Sequence, residues 1–364
     1  MPFECKAVTY TTNASPLTLK TVSLPVEQKD GQFVVGENDI LVKVHYAALN
    51  PVDSILKNSA YGWLSKSEKG FGKDFSGDVA AIGAKAAAQT SLSVGDRVAG
   101  LNQKIFKNGT LSEYTLVNAF DMSGKATTKI PDEMPYDKAA AFPLVLGTAH
   151  QMFESALKGN SYKKVLILGG GTSVGRFAVQ LAKNVYGSEE IVVTCSERSA
   201  ETLKGFGATS YIDYSKHKSL LEPVLEHVKT AGPFDLILDT CGNSDLFGHM
   251  TSILRNRSEG GSYISVSGDS KYDYSKMTVS AYILNGLHLV VRSLRSALGY
   301  LPYHYKLAML DLDHDRTELL IRYIMDGKVS ICIDSEYPLE DFQEAVDRQV
   351  SNKAQGKVLV KISD

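Results

Sequence analysis

Cysteine is scarce. Cys5, Cys195, Cys241 and Cys332 are scattered through 364 residues, with no C-x-x-C pair and no histidine at ligand spacing. That scatter excludes a zinc knuckle or a disulfide framework as the basis of the fold. Long apolar runs are missing too: none approaches the roughly 20 residues that cross a bilayer. The stretch Met1–Tyr10 lacks the basic start and apolar core of a secretion signal and reads as a strand. A cytoplasmic location is the expectation, with the sequons at Asn13, Asn108 and Asn256 taken as accidental. Neither sign of charge dominates, since 39 Lys and Arg face 41 Asp and Glu, and no basic run appears. Nucleic acid is therefore not an expected partner.

Length is ample, and 364 residues predict two domains. Residues 1 to 132 read as β-rich. Phe3–Tyr10, Leu17–Leu24, Ile40–Ala48, Phe75–Ile82, Arg97–Leu101 and Glu113–Val117 are short runs punctuated by Gly, Pro, Asn and Asp. Such a series predicts a barrel or curled sheet, with Val94–Val98 as a hairpin connection. From residue 133 to 310 the texture becomes alternating β/α. A helical entry at Ala139–Phe153 leads to strands at Val165–Leu168, Ile191–Cys195, Tyr211–Asp213, Phe234–Asp239 and Ser262–Ser267. Helices fall near Ala200–Phe206, Ser219–Lys229 and Asp245–Arg255. The alternation predicts an α/β domain with a parallel sheet and right-handed crossovers.

Residues 280 to 310 are rich in Leu, Tyr and Val, with Leu287–Val291 read as a sixth strand and the rest as helix. A patch of this kind is core or dimer interface, with contact to a lipid surface as the alternative. The tail, residues 311 to 364, predicts a helix near Leu319–Met325, a strand at Val329–Ile333, a helix at Glu340–Gln349 and a strand at Lys357–Ile362. It is expected to return to the β-rich domain.

The centre of the chain is Gly169-Gly-Gly-Thr-Ser-Val-Gly175, set between the strand Val165–Leu168 and a run with Val174, Phe177, Ala178, Leu181, Ala182 and Val185 at helical spacing. A glycine turn at a helix start lets backbone N–H groups meet a pyrophosphate, where the helix dipole favours an anion. The same residues fit the G-x-S-x-G elbow of α/β-hydrolases with Ser173 as nucleophile, and a plain helix cap is a third reading. In the dinucleotide reading, the end of the next strand meets the adenosine ribose. Here it reads Thr194-Cys195-Ser196, followed by Glu197 and Arg198. The missing acid and nearby arginine favour NADPH, although Glu197 argues the other way and Arg198 also reads as a solvated helix start. The hydrolase reading has downstream histidines by order alone, His217, His227, His249, His288, His304 and His314, but no H-G-G-G type loop precedes the turn.

Taken in order, Ala48-Leu-Asn50-Pro-Val-Asp53, Gly72-Lys-Asp-Phe-Ser-Gly77, Val94–Val98, Gly109-Thr-Leu-Ser-Glu-Tyr114, Pro143–Ala149, the glycine turn, Phe234–Gly242 and Gly356-Lys357 form a series. That series resembles the zinc-free, quinone-oxidoreductase-like branch of the medium-chain dehydrogenase/reductase superfamily over nearly the whole chain. The resemblance implies a Rossmann-type doubly wound parallel sheet beside a β-rich GroES-like catalytic domain. In zinc-dependent relatives a cysteine and a G-H-E triplet hold the metal. Asn50 and Gly72-Lys73-Asp74 stand there, so a zinc-independent reaction is implied.

By the same resemblance Asn50 lies beside nicotinamide and substrate, and Tyr61 faces the substrate pocket, where a neutral phenol can donate to a developing enolate. The plain alternatives are a turn at Asn50-Pro51 and a loop aromatic at Tyr61; Asp53 reads as structural. Thr148 would approach the carboxamide, while Gly170, Gly171, Thr172, Ser173 and Val174 would cradle the pyrophosphate. Ser196 and Arg198 would meet the adenosine ribose, Tyr214 would lie near the adenosine phosphate, and Gly242 and Gly268 would leave room at strand ends. Lys357 would reach the cofactor or stand as an exposed strand-end lysine. Relatives commonly carry glycine at Thr172 and Ser173, and these hydroxyls would either bond the pyrophosphate or crowd it. The implied activity is hydride transfer from NADPH to a quinone or enone in the interdomain cleft. An enoyl-thioester reductase and a non-catalytic NADPH-binding sensor are the alternatives. Homodimers through paired cofactor-domain edges are usual in the resembling family.

Overall fold

Six short runs build one parallel sheet in a computed structural model that describes residues 2–104, 108–157, 162–271 and 273–363. Across the sheet they lie in the order Ser210–Asp213, Glu190–Cys195, Lys164–Leu168, Leu236–Asp239, Ser262–Ser265 and His304–Leu307. Chain direction across the sheet reverses beside Lys164–Leu168. Crevices for ligands form at such a switch point, at the carboxyl ends of the strands. The central strands carry unbroken apolar runs, Val165–Leu168 and Leu236–Leu238, because helices cover both faces. Val165 and Ile167 pack into one buried cluster, Leu166 and Leu168 into the other.

Two antiparallel sheets form the other body. A four-stranded one joins Gln32–Val34, Thr18–Lys29, Pro2–Tyr10 and Lys69–Gly70. The seven-stranded sheet runs Ile333–Pro338, Lys357–Lys361, Asp39–Ala48, Asp74–Ile82, Arg97–Leu101 and Thr128–Lys129, with Tyr114–Asn118 paired on Asp39–Ala48. The tail thus supplies a strand to the interior of the seven-stranded sheet. The helical entry is two helices, Tyr136–Ala141 and Pro143–Glu154, broken where Pro143 has no N–H to donate.

Four elements differ from the sequence expectation. The sixth strand of the parallel sheet is His304–Leu307, while Leu287–Val291 lies in the helix Leu287–Ala297. Leu289 and Ser296 are buried at helical spacing and the adjacent Val290 and Val291 are both exposed, so the β-branched pair misled. The connection at Val94–Val98 is no tight hairpin, because the segment between Ile82 and Arg97 holds a helix, Ala84–Thr90. The tail strand begins at Ile333, where the expected one ends. Between Asp245 and Arg255 only a short turn of 3-10 helix and Met250–Ile253 form.

The apolar segment is core on one side only, with Leu289, Leu301, Tyr303 and Tyr305 buried in one cluster. Leu287, Val290, Val291, Leu294 and Leu298 each expose more than half of their surface. Among the described residues no helix is long and apolar enough to cross a membrane.

Candidate active site

The glycine turn has a physical reason for each residue. Gly169 adopts φ +80°, in the left-handed region that glycine favours. A Cβ at Gly175 would stand 2.3 Å from the Gly169 carbonyl oxygen, so only glycine lets the helix Ser173–Asn184 start this close to the strand. Gly170 donates to the Thr194 carbonyl at 2.9 Å. Thr172 is the N-cap: its Oγ1 accepts from the Gly175 N–H at 2.9 Å and pairs with Thr240 Oγ1 at 2.9 Å. Ser173 Oγ donates to the Gly356 carbonyl at 3.3 Å.

Both hydroxyls are thus engaged within the protein, which corrects the picture of free side chains that bond or crowd a pyrophosphate. What remains free are the N–H groups of Gly171, Ser173 and Val174, which have no partner among the described residues. These unpaired donors at the start of a twelve-residue helix fit a phosphate group. The serine elbow has no such support. Ser173 donates to a carbonyl, and among the described residues no histidine bonds it.

At the next strand end Ser196 is half-buried, and Arg198 is exposed and forms no ion pair among the described residues. Glu197, the acid that argued for NADH, accepts from Tyr211 Oη at 2.8 Å and from Lys216 Nζ at 2.9 Å, and is held there. Tyr214 is 43% exposed, with Lys271 Nζ 5.4 Å from its ring centre. The room expected at Gly242 is filled by protein. A Cβ there would stand 2.1 Å from the Ser270 carbonyl oxygen, and the Gly242 N–H donates to Asp239 at 2.8 Å. Gly268 is likewise buried, donating to Ser265 Oγ at 3.1 Å. These glycines shape the loop at the strand ends rather than open it.

Where zinc-dependent relatives keep a metal ligand, a buried polar knot joins three distant parts of the chain. Lys357 Nζ donates to Asn50 Oδ1 at 2.6 Å, Asp74 Oδ2 at 3.1 Å and the Leu49 carbonyl at 3.1 Å. Asn50 Nδ2 donates to Asp74 Oδ2 at 2.9 Å and to the Ala48 carbonyl at 3.2 Å. The Leu144 N–H, at the start of the helix Pro143–Glu154, donates to Asp74 Oδ1 at 3.0 Å. Burial pushes the Asp74 carboxyl up, while Lys357, Asn50 and Leu144 oppose it.

Two expectations change here. Asn50 is 1% exposed with both amide protons committed, so it holds the knot and has none left for a substrate. Lys357 is neither solvent-exposed nor free for the cofactor, because its ammonium spends its protons on three internal acceptors. Thr148 sits on the helix Pro143–Glu154, its hydroxyl donating to the Leu144 carbonyl at 2.7 Å.

Asp53 lies beside the knot. Its Oδ2 accepts from the Asn50 N–H at 2.7 Å and its buried Oδ1 has no partner. Burial raises it from the ordinary 3.8 to about 7, against the Asn50 N–H and the Lys73 charge. Between these values the folded chain keeps a proton that the unfolded chain releases. Stability should therefore fall as pH rises from about 4 to about 7 and level off above. Asp53→Asn should flatten that part of the curve of urea midpoint against pH, with Asp239, raised to about 6, and Asp74, also raised by burial, contributing to the slope that is left. An unchanged slope would move the proton elsewhere.

Tyr61 stands apart from the knot. Its hydroxyl pairs with Ser280 Oγ at 2.7 Å, and Ser280 Oγ pairs with Thr278 Oγ1 at 3.1 Å. These two hydroxyls pull the phenol below its usual value. Ser280 begins the helix-forming segment opposite, which is pinned by Val279 N–H donating to Ser59 Oγ at 2.6 Å and Asn58 Nδ2 donating to the Met277 carbonyl at 3.1 Å. Nothing in the spacing of Ser280 or Thr278 marks them, since they meet Tyr61 only across the cleft.

The two-body architecture, with a glycine turn at the switch point of a six-stranded parallel sheet, defines a nucleotide-dependent oxidoreductase fold. Residues 36–132 match the alcohol dehydrogenase GroES-like domain, and residues 206–360 match the zinc-binding dehydrogenase family. The chain belongs to the medium-chain dehydrogenase/reductase superfamily.

Within it, the chain is 32% identical to protein YIM1-2 of Lachancea thermotolerans, over 94% of each chain. It is 30% identical to protein YIM1 of Saccharomyces cerevisiae, over 98% of each. Its fold is similar to the quinone oxidoreductase of Coxiella burnetii, with a TM-score of 0.74 at 22% identity, covering 99% of this chain and all of that one. It is also similar to a mycobacterial protein complexed with NADPH, with a TM-score of 0.69 at 20% identity, covering 98% of this chain and all of that one. Among the described residues no group of His, Cys, Asp or Glu is arranged to hold a metal ion.

Proposed function

We propose that this protein is an NADPH-dependent oxidoreductase that reduces a quinone or an α,β-unsaturated carbonyl without zinc. The observation that carries the reading is the glycine turn, whose unpaired N–H groups meet a strand end without a free acid. NADPH, held at that turn with Arg198 and Tyr214 on its adenosine side, would supply the hydride. The rest falls to the chain. Ser196 starts the helix that presents Arg198, and Tyr61 supplies a proton to the substrate as negative charge builds on its oxygen. The proton is replaced along Ser280 and Thr278, which already bond to that phenol and to each other. A positioned general acid of this kind is worth about 10²- to 10⁴-fold in rate.

The deciding experiment is fluorescence titration with NADPH and NADH, followed by a panel of quinones, enones and short enoyl thioesters. Preferential NADPH binding and consumption with a quinone or enone is the expected result. Consumption only with thioesters would place the protein among enoyl-thioester reductases. Tight binding with no consumption would make it a sensor of the cofactor, and binding of neither nucleotide would end the proposal.

A further inference from the structure

Arg176 is 3% exposed, yet its Nη2 has no hydrogen-bond partner. It lies one turn into the helix Ser173–Asn184, and its Nε reaches back to the Gly171 carbonyl at 3.2 Å. A buried guanidinium with an unspent donor is costly unless something satisfies it.

Cys332 offers its sulfur to the guanidinium, but among the described residues the cleft leaves Nη2 without an acceptor. That cleft is lined by Ser173, Gln180, Ser330, Cys332, Gly356 and Lys357. Gln180 is engaged on both atoms with Ser330, Ser173 with the Gly356 carbonyl, and Lys357 with the knot. The carboxylate whose charge reaches Arg176, Asp334, is held by Arg348 in a two-pronged pair at 2.8 Å each and by the Gln355 N–H at 2.6 Å. The charge of Arg198 further disfavours that of Arg176, and among the described residues Arg198 has no ion pair. A buried guanidinium with an unspent donor therefore stands beside a helix start with free N–H groups, and the missing component is an anion.

We propose that Arg176 clamps the pyrophosphate of the bound dinucleotide, its Nη2 serving as the charged donor beside the N–H groups of Ser173 and Val174. The inference rests on the dinucleotide reading above. It adds that the tail segment around Cys332 and Gly356 walls the phosphate subsite, so that the cofactor is gripped from both bodies. Arg176 tightens binding through charge that is shared by every dinucleotide, whereas Arg198 faces the adenosine side.

Binding of NADPH, NADH, ADP-ribose and inorganic pyrophosphate to the wild type, Arg176→Met and Arg176→Lys decides it, with melting curves to show that each variant folds. We expect Arg176→Met to weaken NADPH, NADH and ADP-ribose alike by about 10- to 100-fold and to flatten the salt dependence of binding. Arg176→Lys should recover part of the loss. Equal affinity in Arg176→Met overturns the proposal, and so does a loss confined to NADPH, which would assign Arg176 to the 2′-phosphate. If the wild type binds no dinucleotide, pyrophosphate separates the two claims. Stabilisation of the wild type that disappears in Arg176→Met keeps the anion site and ends the oxidoreductase reading, and no stabilisation ends both.

Discussion

Lys357→Met is expected to destabilise the protein by about 3–5 kcal/mol, a large part of the 5–15 kcal/mol by which a typical domain is stable. The variant removes the only cation bonded to Asp74 among the described residues, and that carboxylate has no exposed surface. Two amide donors, from Asn50 and Leu144, would be left to hold a buried negative charge. The loss should be visible as a lower urea midpoint at pH 7, and it should shrink as pH falls and Asp74 takes up a proton. Pairing Lys357→Met with Asp74→Leu should recover much of the stability, because removing both charges costs less than orphaning one. If the single variant unfolds at the wild-type midpoint, the knot contributes nothing and its place in the fold has been misjudged.

The second large effect is on rate. Tyr61→Phe should lower kcat by about 100-fold or more and leave the affinity for NADPH unchanged, because the phenol bonds to Ser280 and lies away from the glycine turn. Ser280→Ala should fall between the two, since it breaks the relay behind the phenol without removing the phenol. The fold should tolerate both changes, as Tyr61 is only partly covered. Single-turnover measurements with a saturating enone would separate a slow proton step from slow product release. Wild-type kcat in Tyr61→Phe would remove the tyrosine from the mechanism and leave water as the proton source.

Local chemistry made much of the fold legible. The apolar runs flanked by glycine and proline announced the strands of the parallel sheet, because a strand covered on both faces has no polar positions to hide. Gly169 and Gly175 announced the turn for a similar reason: backbone geometry there tolerates no side chain. The failures were of two kinds. In Leu287–Val291 adjacent β-branched residues mimic a strand, and only the helix's exposed face explains them. The knot, by contrast, is made of residues up to 308 positions apart, and no spacing rule connects Asn50 with Lys357. Motif position placed Asn50 at the site, but its partners decide that it braces rather than donates. Arg176 shows the same limit, since a helical arginine looks solvated until packing buries it.

The strand Lys357–Lys361 lies between Ile333–Pro338 and Asp39–Ala48, inside its sheet. During synthesis the first third of the chain therefore leaves the ribosome with a sheet edge unpaired and with Asp74 lacking its lysine, which follows 283 positions later. An exposed strand edge is a template for pairing with other chains. The interval before the tail arrives is thus when this protein most needs a chaperone, and slowing translation late in the message should cost more soluble product than slowing it early.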